Sequence, residues 1–165
     1  MGICEQIAAD QAEIEDLFGE LAPLAGDDRR STDAMRLAAK LAVAVKTTAL
    51  AEQRVVYEAV RTAGARLAAC ALEGPHELHA LEVVLDKLLA LRPGPEFRAA
   101  LAVARRLFAQ HAQHERDELI PAIHEALSAS ECTQLALDVV TEKQRVRPAV
   151  SRQISSSVTT RPTLV

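Results

Sequence analysis

The sequence predicts an all-α fold, an antiparallel up-down four-helix bundle with a short fifth helix. Apolar residues make up 49 % of the 165 positions, yet aromatic residues are few and alanine and leucine dominate, which favours helices. Apolar residues recur every three or four positions over four long segments, the spacing of amphipathic helices. Runs of β-branched residues, typical of sandwiches and barrels, are scarce. We expect one bundle domain over residues 1–146 and a disordered tail over 147–165.

The first predicted helix runs from about Ile3 to Leu21, and Pro23 and Gly26 end it. The interpretation places Gln11 on the apolar stripe and Asp10 on the polar face. The stripe consists of Ile7, Gln11, Ile14, Phe18 and Leu21.

The second predicted helix begins at Ser31 or Thr32, which are good N-caps, and Gly64 breaks it. Two polar residues, Thr48 and Glu52, occupy positions on its apolar face, four residues apart. The stripe is Leu41, Val45, Thr48, Glu52, Val55 and Ala59.

Residues 65–72 predict a short helical connection, and Gly74-Pro75 is expected to open the third helix. His76 and His79 follow, three apart and therefore on one helix face. A 100° step per residue leaves His79 away from the centre of the leucine stripe. The segment 92–95 is a clear turn.

The fourth predicted helix spans about 96–127, with a kink at Pro121. Its apolar stripe continues in step into His111 and Glu115, after Phe97, Leu101, Ala104 and Phe108. Ser130 is the expected N-cap of a last short helix that ends near Gln144, before the disordered tail begins at about Arg147.

His111 and Glu115 are the strongest candidates for chemistry, because a nitrogen donor and a carboxylate stand one turn apart on a core face. A buried carboxylate must be paired, protonated or bound to a metal ion. Glu52, on the apolar face of the second helix, is a second carboxylate that must be paired, protonated or bound to a metal ion. Two explanations remain open at this point, a metal site or a hydrogen-bonded pair of a core histidine and carboxylate. His114 is expected to face outward or to cap the rim of the site, His124 to lie on the surface, and Tyr57 to pack in the core.

The layout resembles the hemerythrin-like (HHE cation-binding) family over about residues 3–144. The resemblance rests on His111-x-x-x-Glu115 before Leu-Ile-Pro121, on Glu52 before Val-Val-Tyr57, and on Gly-Pro-His76-Glu-Leu-His79. It implies a helical bundle around non-haem iron, with His111, Glu115, Glu52, His79 and His76 as the metal ligands. Gln11 and Thr48 stand where the family has histidines.

The two replaced histidines would serve the same iron ion in the family. The resemblance therefore implies one ion per chain, or one bound tightly and a second poorly; iron is expected, and zinc or manganese would suit the ligands too. The function expected is sensing of, or response to, dioxygen, peroxide or nitric oxide, and whether the chain is an enzyme is left open. The alternative is a metal-free bundle that acts as an interaction or structural protein.

Charge and composition exclude several partners. The net charge is −4, and no basic cluster is interleaved with aromatic residues, so nucleic acid is not expected. No membrane span and no secretory signal are expected, and the three cysteines, Cys4, Cys70 and Cys132, indicate reduced thiols in a cytoplasmic protein. We expect a monomer or a homodimer. No phosphate-binding loop or nucleophile–histidine arrangement predicts a catalytic residue.

Overall fold

The chain folds into five helical rods, and the described residues contain no strand. This is a computed structural model, and it describes residues 1–26 and 28–159. The all-α prediction is confirmed. The helices are α1 (Ile3–Leu21), α2 (Ser31–Ala51), α3 (Glu58–Val60), α4 (Ala65–Ala90), α5 (Pro95–His114), α6 (Ile120–Ala126) and α7 (Ala129–Thr159).

Two of the rods contain a π-helical segment. Glu52–Tyr57 joins α2 to α3, and Glu115–Leu119 joins α5 to α6, without a break in either rod. Short 3₁₀ turns, Ala22–Leu24 and Asp28–Arg30, connect α1 to α2.

Four of the rods contact one another in turn: α1 contacts α2 and α5, and α4 contacts the same two helices. α7 packs along α2 and also contacts α1 and α4. No described helix combines the length and the apolar character that a crossing of a membrane requires.

The third predicted helix begins earlier than expected. α4 starts at Ala65 and continues through Pro75, so the predicted connection over 65–72 and the third helix are one element. One buried stripe explains the continuity, because it runs in steps of four and three across the proline. Its members are Leu67, Ala71, Gly74, Leu78, Leu81, Leu85 and Leu88.

The prediction of a disordered tail from Arg147 is wrong for residues 147–159. α7 is helical through Thr159, and Val150 and Ile154 are buried in the core. Residues 160–165 of the predicted tail lie outside the described residues. The helix also begins before the predicted N-cap Ser130, because Ser128 caps it. The Glu131 backbone N–H donates to Ser128 Oγ at 3.3 Å, and the Ser128 backbone N–H donates in return to Glu131 Oε2 at 2.8 Å.

The core divides into two apolar clusters. The Phe18 cluster contains Phe18 with much of α2 and α5 and the end of α7, including Leu41, Phe97, Phe108 and Ile154. The Tyr57 cluster contains Tyr57 with Ile3, Ile7, Leu67, Leu119 and Val139. Along α1, α2 and α5 the two clusters are separated by buried polar positions. The buried polar residues are Gln6, Asp10, Thr47, Thr48, Glu52, His111 and Glu115.

Candidate metal centre

The two buried glutamates each stand at the start of a π-helical segment. Glu52 is the first residue of Glu52–Tyr57, and Glu115 is the first residue of Glu115–Leu119. Thr48-x-x-x-Glu52 and His111-x-x-x-Glu115 have the same spacing in the sequence, and the likeness between these two segments extends to the backbone. Single-turn π segments inside α-helices occur often at functional sites.

Glu52, His111 and Glu115 form one buried cluster. Each offers a donor atom within 4.8 Å of the others, a spacing that would allow one cation to contact all three. His111 Nε2 lies 3.6 Å from Glu115 Oε1. The three side chains are 2–3 % exposed, so the cluster is shielded from water.

Glu77 on α4 fixes the orientation of the His111 ring. Its Oε2 lies 2.9 Å from His111 Nδ1 and 3.1 Å from His114 Nδ1. Hydrogen bonding to His111 holds the pKa of Glu77 below its usual value, against a smaller opposing effect of burial. An ionised carboxylate accepts hydrogen bonds, so the proton of a neutral His111 ring sits on Nδ1.

The remaining nitrogen of His111 fits a metal ion. Nε2 is buried and has no hydrogen-bond partner among the described residues. A neutral imidazole whose Nδ1–H is bonded to a carboxylate presents its Nε2 lone pair, which is the usual state of a ligating histidine. The cluster thus combines an unpartnered nitrogen donor with two buried carboxylates, and this donor set fits the non-haem metal that the resemblance implies.

Two neutral donors hold Glu115. Gln11 Nε2 donates to Glu115 Oε2 at 2.8 Å, and Tyr57 Oη donates to Oε1 at 3.3 Å. Arg116 donates to Gln11 Oε1 at 2.9 Å and thereby orients the amide. Burial and the neighbouring carboxylates, Glu115 before Glu52, raise the pKa of Tyr57 well above its usual value, so it remains a donor.

The surroundings of Glu52 disfavour the ionised form of its carboxyl group. Burial, then Glu115, then Asp10 raise its pKa well above the usual range of a carboxyl group, while Lys143 lowers it. A cation between Glu52 and Glu115 would relieve this repulsion. Without one, the alternative is a neutral, protonated Glu52.

The structure brings together three of the five predicted ligands. His111, Glu115 and Glu52 meet in the cluster, whereas His76 and His79 lie on the exposed face of α4 and are not members of it. The buried stripe of α4 passes through Gly74, Leu78 and Leu81, which turns both histidines outward. Glu77, between them, points to His111 instead.

Three residues near the centre were missed in the sequence. Asp10 was placed on the polar face of α1 but is 5 % exposed, since the buried stripe runs Ile3, Ile7, Asp10, Ile14, Leu17 and Leu21. Lys143 lies on the apolar stripe of α7, four residues after Val139 and three before Val146. This spacing could have predicted its inward position from the sequence. Glu77 carried no such signal, because its role depends on the neighbouring helix. His114 is partly buried against Glu77, and His124 is exposed as predicted.

Comparisons with known proteins leave the family open. No protein-family model matches the sequence, and neither the curated proteins nor the solved structures gave a significant match.

Proposed function

We propose that the chain is a hemerythrin-like metal-binding protein that holds one divalent ion through His111 Nε2, Glu52 and Glu115. The observation that carries the proposal is the buried Nε2 of His111, which faces two buried carboxylates and has no partner among the described residues. We further propose that α1, α2, α4 and α5 form the antiparallel up-down bundle of that family. Their contacts in a ring support it.

The donor set is smaller than the sequence implied, because His76 and His79 are exposed and contribute no ligand to this proposal. One imidazole and two carboxylates suit Fe(II), Mn(II) or Zn(II). Gln11 stands at a position where the resemblance places a histidine ligand. Its amide donates a hydrogen bond to Glu115 and offers no ring nitrogen to a metal ion. This supports a mononuclear centre.

Three protein ligands leave coordination positions for a small molecule. A bound iron ion would supply a redox-active centre for dioxygen, peroxide or nitric oxide, which we propose as the signals sensed. Glu77 would hold the proton on His111 Nδ1, Gln11 and Tyr57 would orient Glu115, and the two apolar clusters would exclude bulk water.

A metal-free bundle is the second candidate function, an interaction or structural protein. The observation that favours it is the pair of donors, Gln11 and Tyr57, which already satisfy Glu115. The raised pKa of Glu52 also allows that carboxyl group to stay neutral without a cation.

Elemental analysis of protein prepared without oxygen separates the two candidates. We expect close to one ion per chain in the parent, far less in His111→Ala, and the parent value in His124→Ala, which removes an exposed histidine. Added metal should raise the melting temperature, and a chelator should reverse the rise. A free metal concentration of a hundred times Kd should add about 2.7 kcal/mol to the free energy of unfolding. No metal in the parent even after reconstitution, with no thermal shift, would favour the metal-free protein.

A further inference from the structure

The last helix carries a lysine into the buried polar region. Lys143 Nζ lies 2.5 Å from Asp10 Oδ1, and the same oxygen accepts a hydrogen bond from Gln6 Nε2 at 2.9 Å. Asp10 is almost fully buried, and its Oδ2 has no partner among the described residues. The pair therefore joins the first and the last helix by a largely desolvated ion pair.

This ion pair lies beside the candidate metal centre. Gln11, the residue after Asp10 on α1, donates to Glu115 Oε2 at 2.8 Å, and α7 packs against the segment that begins with Glu52. An ion pair between Arg54 and Glu142, at 3.0 Å, fastens the neighbouring residue of α7 to the π-helical segment that Glu52 begins. Lys143, the residue after Glu142, therefore lies where α7 faces that segment.

The charges indicate what the ammonium does there. Three buried carboxylates, Asp10, Glu52 and Glu115, share the region with Lys143. When all are ionised, three negative charges and one positive charge leave two negative charges, which one divalent ion neutralises. A second divalent ion would leave a buried excess of positive charge, which is costly in a region of low dielectric constant.

We propose that Lys143 takes the place of a second cation and restricts the centre to one divalent ion. The inference rests on the proposed metal binding and adds the residue that sets its stoichiometry. Without the ammonium, the unpartnered Oδ2 of Asp10 together with Glu52 would offer oxygen donors to a second ion. α7 is then part of the centre, although it supplies none of its ligands.

The test is the number of Zn(II) ions bound per chain, with Zn(II) as the sole added metal, measured by equilibrium dialysis and elemental analysis. The parent should bind one equivalent and Lys143→Gln a second. Lys143→Arg, which keeps the charge, should stay at one. Asp10→Asn combined with Lys143→Gln should lose the second equivalent again, because an amide is a weak ligand.

The outcomes separate the two proposals. One equivalent in both the parent and Lys143→Gln overturns the role of Lys143 and leaves the metal function standing. No zinc in either protein overturns both. Zinc in Lys143→Gln alone supports exclusion by the ammonium and overturns metal binding by the parent.

If circular dichroism shows that Lys143→Gln does not fold, a second variant tests the proposal. Asp10→Asn leaves the ammonium without its carboxylate partner, so Lys143 should compete with the metal ion for Glu52. The parent's single zinc ion should then bind at least about tenfold more weakly. An unchanged affinity would overturn the proposal.

Discussion

At the scale of single residues, the chemistry of the cluster depends on which nitrogen of His111 faces the two glutamates. The ring has Nδ1 at 2.9 Å from Glu77 Oε2 and Nε2 at 3.6 Å from Glu115 Oε1. Because a carboxylate accepts hydrogen bonds, Glu77 selects the tautomer with the proton on Nδ1. A residue outside the ligand set therefore determines whether His111 can act as a ligand.

Glu77→Gln is predicted to weaken metal binding about 10–100-fold, the usual effect of losing a carboxylate behind a ligating histidine. The substitution preserves shape and removes the charge that stabilises the Nδ1–H tautomer. Competition titration with a chromophoric zinc chelator measures the affinity. Glu73→Gln is the matched control, because Glu73 is exposed and lies near His114 rather than His111. Equal affinities in Glu77→Gln and Glu73→Gln would show that Glu77 does not position the ring.

Tyr57 reaches Glu115 because Gly74 lets its ring lie directly against α4. A Cβ atom at position 74 would overlap Cζ and the hydroxyl oxygen of Tyr57. The glycine is thus required by a close approach inside a helix, where glycine otherwise costs stability. It belongs to the positioning of the centre as much as to the helix.

Gly74→Ala should destabilise the protein by about 1–3 kcal/mol through overpacking and move the Tyr57 hydroxyl away from Glu115. Urea unfolding gives the stability. The fluorescence of the single tyrosine reports its surroundings directly, since the chain has no tryptophan. Gly19→Ala is the control: nothing lies within 4 Å of a Cβ there, so we expect a gain of up to about 1 kcal/mol. Similar gains at both positions would contradict the close packing of Tyr57 on Gly74.

At the scale of elements, periodicity in the sequence predicted the helices well and their faces less well. The ends of the first helix were confirmed, but steps of four and three fit the α1 stripe in two registers, one through Gln11 and one through Asp10. Tertiary packing chose Asp10, which local sequence cannot decide. The π-helical segments were also beyond prediction, because one extra residue per turn leaves no compositional mark.

The end of α7 shows a different limit. Serine, threonine and arginine dominate residues 147–159, a composition that predicted disorder. Two apolar residues four apart, Val150 and Ile154, nevertheless suffice to anchor the helix in the Phe18 cluster. A narrow apolar stripe on a polar helix is a weak signal unless the groove that receives it is known.

Ile154→Ala should cost about 2–5 kcal/mol, the usual loss for a buried isoleucine, because Ile154 is 3 % exposed. Chemical denaturation of the full chain measures the loss. Leu137→Ala on the same helix removes an exposed leucine and should change stability by less than about 0.5 kcal/mol. If both variants match the parent, residues 147–159 do not pack in solution.

The attachment of α7 to the Glu52 segment should depend on pH. Arg145 and Arg54 donate hydrogen bonds to Glu142 and hold its pKa at about 2, below the usual value of about 4.5 for a glutamate. The contribution of Glu142 to the free energy of unfolding is therefore fully present above about pH 4.5 and is lost as the pH falls towards about 2.

Glu142→Gln should cost about 0.2–1 kcal/mol near neutral pH, the range of an exposed ion pair, and progressively less in acid. Urea unfolding of the parent and the variant across this pH range gives the difference. Asp138→Asn is the control, because its carboxylate bonds to Gln134 of the same helix. A difference that does not change with pH would exclude the ion pair as its cause.

At the scale of the whole molecule, a buried polar layer separates the Phe18 cluster from the Tyr57 cluster. Three rods contribute buried residues to it, Asp10 from α1, Glu52 after α2 and His111 from α5, and the other two contribute the partly buried Glu77 and Lys143. Such a layer costs stability unless its charges are compensated. A chain under selection for stability alone would gain by filling it with apolar side chains, so its presence supports a function for the centre.

The pair Asp10→Leu and Lys143→Met tests this argument. Together the two changes should leave the metal-free protein as stable as the parent or about 1–4 kcal/mol more stable, because a desolvated ion pair is replaced by apolar contacts. Asp10→Leu alone should cost about 3–5 kcal/mol, since it leaves the largely buried Lys143 ammonium without its partner. Urea unfolding in the presence of a chelator measures all three proteins. If the double variant is as unstable as the single one, the layer contributes to stability by itself, and its presence would no longer argue for metal binding.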